Sequence, residues 1–519
     1  MSTINSNEQY TILGSTLQSI CDSVSKATGS EDIPVPMIPK MIDGINLKYE
    51  DIKDVMFMDY NGDLLYSWDK DDFINNVTEL PPGPTWHENL TFQEWNWDLA
   101  DIKTELQSGS GACCIGACYT TKDGASHFYI DIEDEDDLNV TMYMSRQAGQ
   151  TCTIDWGDGA SETTGSNKAC IHTYSNLGQY DVKVTGGFNV VSTEYFFRRY
   201  PGNDNKSGTW YASNNNFLRR VELGTNALIT AQNSFTGFPY CPNLLSISVH
   251  KDVISSSLTN FHSQGLLSCD SSVRFFVFPR SISGMSTTVI YPLIEAFVGT
   301  SSLVSISFPK NCQVAGKCNM FGQGTGIKFL YLPYVETVTC THASYYPIFS
   351  TARSMMRFAW AFDSSSIAYT NGWYQTFYCS YNLRKTSLDK MNITAPNRYT
   401  CYSNTHLQGE IVLPTSWTVF TGENFYGCIN VTKFTMLGDI TAVGVAGGQV
   451  FNACYSCLCY DFTHCTSVPT LYNVNCFNGI RPTAKIVVPD SLVSSWKAAT
   501  NWSNSNIANK IIGESDYNA

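Results

Sequence analysis

Cysteine offers the most direct chemistry in this sequence, because thiolates bind metal ions and form disulfides. The chain has 519 residues and 19 cysteines, and the densest group lies near the C-terminus, where one C-x-x-C pair occurs. A structural zinc site needs a second matched pair at a defined spacing, and this group has none. We therefore expect its thiols to pack as small apolar side chains, without a metal or a cofactor. The group comprises Cys454, Cys457, Cys459, Cys465 and Cys476.

A second cysteine group, formed by Cys113, Cys114 and Cys118, is open to two interpretations. Buried packing is the first, and an inter-chain disulfide in an assembled particle is the second. The first ten residues, MSTINSNEQY, lack the basic and apolar regions of a secretion signal. A full disulfide framework is therefore not expected.

Carboxylates are the next candidates for chemistry, and they are densest between residues 131 and 137, with the sequence DIEDEDD. Such a run could bind calcium through hard oxygen ligands, but it lacks the spaced acidic loop with its glycine that calcium sites use. The pattern favours a solvated strand edge that its charge keeps apart from other edges.

Catalytic motifs are missing from the sequence. It contains neither a G-x-S-x-G elbow nor a G-x-x-x-x-G-K-[ST] phosphate loop, and its eight histidines are scattered. A carboxylate pair for sugar cleavage would be remote in sequence, and acidic residues are sparse in the second half of the chain. We therefore expect no enzymatic activity.

Aromatic side chains between residues 340 and 405 are the strongest sign of binding. The segment combines Tyr and Trp with Asn and Ser, which together supply rigid anchors and adaptable hydrogen bonds. The same rings could instead replace leucine in a repeat core, and both roles can hold at alternate positions. The candidate receptor-binding residues are Tyr345, Tyr346, Trp373, Tyr374, Tyr378, Tyr399 and Tyr402.

The charge distribution excludes a general nucleic-acid binder. The formal net charge is −14 and charged residues make up only 15% of the chain, so no basic stripe is available to neutralise phosphates. Hydrophobic residues make up 43%, which is enough for a sizeable core. No apolar run reaches the length of about 18 residues that a membrane-spanning helix needs, and membrane insertion is not expected.

The first 110 residues contain two small units. Residues 1–50 show helical spacing followed by the stop signal Gly29, and they predict a helical hairpin that is too small to fold without a partner. Residues 51–110 predict a linker region with helix and strand. In it, Asn61-Gly62 marks a hairpin turn between strands 55–60 and 64–68, and a short helix follows Trp95.

Residues 111–189 predict a β-sandwich, because alternating strands are separated by Gly and Asn turns. The sequence W-G-D-G is followed by H-T-Y and then G-x-Y-x-V. This pair of motifs resembles the PKD family, whose fold is an immunoglobulin-like sandwich. The resemblance implies a spacer or adhesion module without catalysis. The motif residues are Trp156, Gly157, Asp158, Gly159, His172, Tyr174, Gly178 and Tyr180.

Residues 190–513 contain strand-like segments that return every 20 to 30 residues, which predicts a solenoid. The segments resemble BspA-like leucine-rich repeats, although Phe and Tyr often replace Leu. Residues 487–502 resemble the closing helical cap of such solenoids. The segments are 244–249, 273–279, 303–309, 327–333, 356–358, 383–388, 410–414, 431–436 and 485–489.

Short segments near the N-terminus, including residues 17–20, 26–29 and 95–103, resemble the starts of structural proteins of phages that infect gut bacteria. With the PKD-like and repeat regions, they imply a bacteriophage virion surface protein, either a tail or a head fibre. Residues 1–50 would then attach to other virion proteins, and the repeats would bind a host cell-surface glycan or protein.

The resemblance leaves the assembly state and two other functions open. We expect a homo-oligomer, with a trimer favoured, because several copies of a weak site increase avidity. The alternatives are a bacterial cell-surface leucine-rich-repeat adhesin and a glycan-cleaving depolymerase. Overall, the sequence predicts a mainly β, multidomain protein: an N-terminal helical hairpin, an Ig-like sandwich and a capped solenoid.

Overall fold

The chain folds mainly as β-structure, in agreement with the predicted fold class. Helices are few and short in the part of the chain that is described. The computed structural model describes residues 49–190, 197–199, 216–230, 241–255, 260–262, 272–281, 289–291, 302–310, 313–316, 326–335, 337–338, 354–362, 377, 380, 382–386 and 406–518. The predicted helical hairpin lies outside these residues, apart from its last two positions.

The N-terminal unit, residues 49–121, is a four-stranded sheet with two helices. The strand order is β2-β1-β4-β3, in which only the central pair β1 and β4 is parallel. Its elements are a 3₁₀ turn (Tyr49–Asp51), β1 (Val55–Met58), β2 (Leu64–Trp68), α1 (Lys70–Asn76), β3 (Leu90–Trp95), α2 (Leu99–Ser108) and β4 (Cys113–Thr121).

The predicted hairpin at Asn61-Gly62 is confirmed. Strands β1 and β2 pair antiparallel around it, and Gly62 has a φ of +91°, which side chains with a Cβ rarely adopt. An aromatic core holds the helices against the sheet, since the ring of Phe57 lies 4.9 Å from that of Trp95 and 6.3 Å from that of Phe73. The predicted short helix is α2, whose first turn is capped by Asp98.

Two sheets follow between residues 122 and 190. Strands β5, β10, β7 and β8 are hydrogen-bonded in one sheet, and β6 pairs with β9 and β11 in the other. Side chains from both sheets, such as Ile154 and Met142, share one apolar core. The elements are β5 (Ser126–Ile132), a 3₁₀ turn (Glu135–Asp137), β6 (Asn139–Arg146), β7 (Cys152–Asp155), β8 (Ser161–Thr164), β9 (Lys168–Thr173), β10 (Gly178–Thr185) and β11 (Phe188–Val190).

After β11, the described residues form β12 (Phe197–Arg199), which pairs antiparallel with β6, and then a β-solenoid whose short strands pair in parallel from one turn to the next. The solenoid strands are β13 (Leu218–Glu222), β14 (Ala227–Ile229), β15 (Ser246–Ser248), β16 (Asn260–His262), β17 (Phe275–Val277), β18 (Val289–Tyr291), β19 (Ser305–Ser307), β20 (Gln313–Gly316), β21 (Phe329–Val335), β22 (Thr337–Val338), β23 (Arg357–Phe362), β24 (Lys385–Thr386), β25 (Gln408–Leu413), β26 (Val419–Thr421), β27 (Asn430–Met436), β28 (Ala442–Val445), β29 (Cys459–Asp461), β30 (Thr470–Leu471), β31 (Lys485–Val488) and β32 (Ile511–Gly513). The helical elements near the C-terminus are two 3₁₀ turns (Val474–Phe477 and Asp490–Leu492), α3 (Val493–Ala498), α4 (Ser505–Ala508) and α5 (Glu514–Asn518).

The predicted strand repeat is confirmed, because each of the nine predicted segments contains a strand. These strands stack in one row on the outer face of the solenoid. Backbone hydrogen bonds join successive turns of this row, beginning with Val304 N to Arg274 O at 2.7 Å and Lys328 N to Val304 O at 2.9 Å. Similar bonds and parallel pairings continue to the last strand, where Ile486 N donates to Lys510 O. The row therefore behaves as one stack in which every turn is held by its neighbours.

The solenoid core uses aromatic rings where a leucine-rich repeat would use leucine. The ring of Phe451 stacks parallel to that of Phe425, with centroids 6.0 Å apart, and lies 5.5 Å from that of Phe477. Near the C-terminus, Trp496 and Trp502 are fully buried and their rings contact each other at 5.5 Å. Larger rings fill the same interior with fewer side chains per turn.

The acidic stretch at residues 131–137 differs from its prediction as a strand edge. Its first two residues belong to β5, which lies inside its sheet between β10 and β13. Asp131 and Glu133 both pair with Arg219, at 3.6 and 2.9 Å. The strand-edge interpretation is therefore wrong for β5, because the incoming strand β13 covers that edge.

The same pairing changes the boundary between the two units that were predicted to meet near residue 190. Strand β13 joins β5 antiparallel and then pairs parallel with β15. In the other sheet, β14 joins β11 in parallel. Both sheets therefore continue directly into the solenoid, and the first solenoid turns have no free edge on this side.

The N-terminal unit covers the outward face of the first solenoid turns. Ser305 and Ser307 on that face are fully buried, and Ser307 donates a hydrogen bond of 2.7 Å to the carbonyl of Cys114 on β4. A Cβ built on Gly116 of β4 would lie 2.6 Å from a methyl group of Val277 and 3.1 Å from Ser307. Only small residues therefore fit where the two sheets touch.

We predict that Gly116→Ala destabilises the protein, because the added methyl group must push β4 away from Val277. Overpacking of this kind costs about 1–3 kcal/mol. Thermal unfolding followed by calorimetry measures the effect. Gly165→Ala is the matched control, since no atom lies within 4 Å of its built Cβ. Equal melting temperatures for the two variants would contradict the tight contact.

Candidate functional site

The structure brings the aromatic members of the PKD-like motif together around one turn. The ring of Trp156 stacks on that of His172 at 4.9 Å, and the hydroxyl of Tyr174 donates a 2.8 Å hydrogen bond to the carbonyl of Trp156. His172 Nε2 lies 2.8 Å from Oδ2 of Asp158. Tyr180 completes the group, with its ring 4.2 Å from that of Tyr174.

The glycines of this motif explain its shape. Gly157 has a φ of +79°, and a Cβ at this position would lie 2.6 Å from the carbonyl oxygen of Asp181. Gly159 and Gly178 also have positive φ values. The motif residues therefore hold the turn between β7 and β8 against β10.

The seven candidate receptor-binding residues cannot be placed in the same way. Tyr345, Tyr346, Trp373, Tyr374, Tyr378, Tyr399 and Tyr402 all lie outside the described residues. The assignment of these rings to binding therefore stays a prediction.

A buried ionic network, which the sequence analysis did not identify, lies where the N-terminal unit meets the sandwich and the solenoid. Asp59, at the end of β1, accepts hydrogen bonds of 2.8 Å from the hydroxyl of Tyr119 and from the amide of Tyr60. His87 Nε2 lies 2.9 Å from the other oxygen of Asp59. The two side chains are 1% and 3% exposed, so the pair is sealed from solvent.

The network continues through residues of the other units. Tyr129 of β5 donates a 3.0 Å hydrogen bond to Glu222 of β13, and Arg220 lies 3.3 Å from the same carboxylate. Asp63 receives a 3.3 Å hydrogen bond from Arg274. Each carboxylate thus has a partner on a different structural element, and the network ties the units to one another.

Burial dominates the electrostatics of this network. It raises the pKa of Asp63 to about 6, although Arg274 opposes the shift. Burial also raises the pKa of Glu222, again against a neighbouring arginine. For His87, burial alone would lower the pKa, but the charges of Asp59, Glu222 and Asp63 raise it above its ordinary value.

The carboxylate–imidazole pair resembles half of a catalytic triad only in its geometry. Nδ1 of His87 has no hydrogen-bond partner among the described residues, so no serine, threonine or cysteine nucleophile is poised there. The pair is also closed to substrate on every described side. The pair lies within the N-terminal unit, where it joins the end of β1 to the segment that precedes β3.

An open cleft of about 390 Å³ lies at the edge of the same junction. Its floor is the outward face of β23 and β24, with Arg357 and Lys385, and its walls are the start of α1 and the loop after α2. Asp54 lies between floor and wall. It forms an ion pair with Arg357, lies 3.7 Å from Lys385 Nζ, and accepts a 2.9 Å hydrogen bond from the amide of Lys70.

The cysteines behave as predicted in the described part of the chain, where the described thiols are buried and unbridged. Burial raises the pKa of Cys457 to about 12 and that of Cys465 to about 12, which keeps these thiols protonated. No cluster of three or more metal-ligating side chains occurs among the described residues.

No family model matches the sequence, and no curated protein matches it. Within the described residues, no helix has both the length and the apolar character to cross a membrane. The fold and the site geometry therefore carry the functional argument.

We predict that Asp63 makes stability depend on pH. Its folded pKa of about 6 exceeds the ordinary value of 3.8, so the folded state binds the proton more tightly than the unfolded state. The stabilisation is present below about pH 4 and is lost as the pH rises through 6. The size of the change is about 2–3 kcal/mol.

Asp63→Asn isolates this contribution, because the variant lacks the titrating group. The difference in free energy of unfolding between the native protein and the variant should decrease from pH 4 to pH 6 and stay constant above pH 7. Chemical denaturation at each pH measures it. A difference that does not change between pH 4 and 7 would contradict the raised pKa.

Proposed function

We propose that this protein is a surface-displayed binding protein that uses its solenoid to hold a ligand-binding surface at a fixed orientation. The observation that carries the proposal is the continuous hydrogen-bonded stack of parallel strands from β17 to β32. Stacked repeats of this kind create extended rigid surfaces, and proteins with such folds use them to bind other molecules. The buried network adds to this rigidity, because it fixes the N-terminal unit on the stack.

The finer parts of this proposal follow the sequence resemblances. The two sheets of residues 111–189 act as an Ig-like, PKD-like spacer, which the contacts around Trp156 support. The solenoid is built of BspA-like leucine-rich repeats with aromatic substitutions, and the helices that bury Trp496 and Trp502 act as its helical cap. In this arrangement, strands of the spacer and of the repeats belong to the same sheets. A force applied to the repeats is therefore transmitted directly to the spacer.

We place the protein on the surface of a bacteriophage virion, as a tail or head fibre that functions as a homo-oligomer, most simply a trimer. Residues 1–50 attach it to other virion proteins, and the rings of residues 340–405 contact a host cell-surface glycan or protein. The phage-like segments and the low proportion of charged residues in the repeats support this setting. A bacterial adhesin and a glycan depolymerase are the alternatives that experiments must separate from it.

Substitution of the predicted rings tests the binding role. We expect Trp373→Ala and Tyr399→Ala to leave the melting temperature unchanged and to abolish adsorption to host cells, because aromatic anchors contribute about 2 kcal/mol or more each to an interface. Tyr472→Ala is the control, since that ring is 56% exposed on the last solenoid turns. A lowered melting temperature in both ring variants would assign the rings to the core, and release of reducing sugar from host glycan would favour the depolymerase.

Removal of residues 1–48 tests the attachment. The shortened chain should fold, because residues 55–119 share a buried apolar core, but it should not be incorporated into particles. Electron microscopy of native particles, with an antibody against the solenoid, locates the full-length chain and shows its copy number. Normal incorporation of the shortened chain would refute attachment through this segment.

A further inference from the structure

The cleft between the N-terminal unit and the solenoid is built from rigid parts on every described side. Its floor consists of hydrogen-bonded strands, in which Arg357 pairs in register with Lys385. One wall is the beginning of α1, and the other is the Gly109–Gly111 turn that follows α2. Since the contact between the N-terminal unit and the solenoid fixes these elements, the cleft is formed without any closing motion.

We propose that this cleft binds a neutral saccharide unit of a cell-surface glycan. The inference rests on the proposed binding function and adds a second contact site to the predicted rings. A volume of about 390 Å³ lies within the range of small-molecule sites. It is sufficient for one or two sugar rings.

The charges in the cleft favour a neutral ligand. Three carboxylates, those of Asp54, Asp69 and Asp71, face three cations, those of Lys70, Arg357 and Lys385. The balance leaves no net charge to attract an anionic glycan or a cationic peptide. Asp54 is held by its partners on the floor, and Asp69 pairs with Lys53 at 3.1 Å.

Two adjacent side chains on α1 provide the hydrogen bonds that a sugar needs. Neither the ammonium of Lys70 nor the carboxylate of Asp71 is paired with another described residue. They present a donor and an acceptor on one wall of the cleft, which can hydrogen-bond to hydroxyl groups of a sugar. Hydrogen bonds to charged groups are stronger than neutral ones, so this pair can fix the orientation of a ring.

The opposite wall leaves space for the ring itself. A Cβ built on Gly111 would have no atom within 4 Å, and Gly111 adopts a φ of +79°. Leu106 and Ala359 supply small apolar surfaces beside it.

Binding of the full-length protein to an immobilised panel of glycans tests the proposal. The panel contains neutral glucan, mannan and xylan oligosaccharides together with sialylated and sulfated ones. We expect binding to at least one neutral oligosaccharide, with competition by the same free sugar. Lys70→Ala and Asp71→Ala should each weaken it about tenfold, as the loss of one hydrogen bond to a charged group does. Lys497→Ala and Asp516→Ala, on the C-terminal helices, should leave it unchanged.

A variant that blocks the mouth of the cleft provides the second test of the proposal. Gln107→Trp places a large ring at the mouth of the cleft and should abolish binding, whereas Thr104→Trp on the exposed face of the same helix should not. Equal binding by both variants, or binding of charged glycans only, would overturn the proposal. Host adsorption without any glycan binding would also overturn it while leaving the proposed function intact. If the native protein itself does not adsorb to host cells, the proposed function is refuted.

Discussion

The close approach of strand β4 to the solenoid is the constraint on which the remaining structure depends. At its centre the amide of Asn96 donates to the carbonyl of Phe278 and to the hydroxyl of Ser307, both at 2.8 Å, while its carbonyl accepts from the amide of Gly116 at 2.8 Å. One buried side chain thus satisfies a backbone group of the N-terminal sheet, a backbone carbonyl of one solenoid turn and a serine hydroxyl of the next. Loss of any partner would leave polar atoms unsatisfied in an apolar interior, which is costly.

The ionic groups around this contact serve specificity more than stability. The attraction within a buried ion pair seldom exceeds the desolvation penalty of its two charges. The raised pKa of Asp63 shows that this penalty persists beside Arg274. Yet two of the pairs join one particular residue of the N-terminal unit to one particular turn, Asp63 with Arg274 and Asp54 with Arg357. A shift of the unit by one solenoid turn would break all of these pairs at once. The network therefore selects a single register for the unit on the stack.

That register also creates the cleft. The covering sheet ends over β23 and β24, so the outward face of the solenoid changes there from buried to open, and Lys385 is 59% exposed. Beyond it, the same face carries Lys433 between Glu410 and Asp461, at 3.2 and 3.6 Å. The step between the covered and the open face therefore places groups of the N-terminal unit and of the solenoid around one cleft.

Much of the fold could be predicted from the sequence, because it depends on short-range patterns. The Asn61-Gly62 turn, the nine repeated strands and the burial of Cys454 and Cys457 each follow from the local residue types. The sequence missed β29, since Cys459–Asp461 lies in the cysteine group and shows no alternation. It also missed β13, because Leu218–Glu222 carries three charged residues and only two apolar ones.

Only the tertiary structure decided where these elements meet. The pairing of β1 with β4 and of β5 with β13 joins segments far apart in the chain, and such contacts leave no periodic trace in either segment. The partners of Asp59 and Glu222 were unpredictable for the same reason, because His87 and Tyr129 come from other strands and loops. The sequence by itself determined a repeat of short strands, a turn-rich middle region and buried thiols. The packing of one unit on another decided which charges are buried, which face is open and where a ligand can bind.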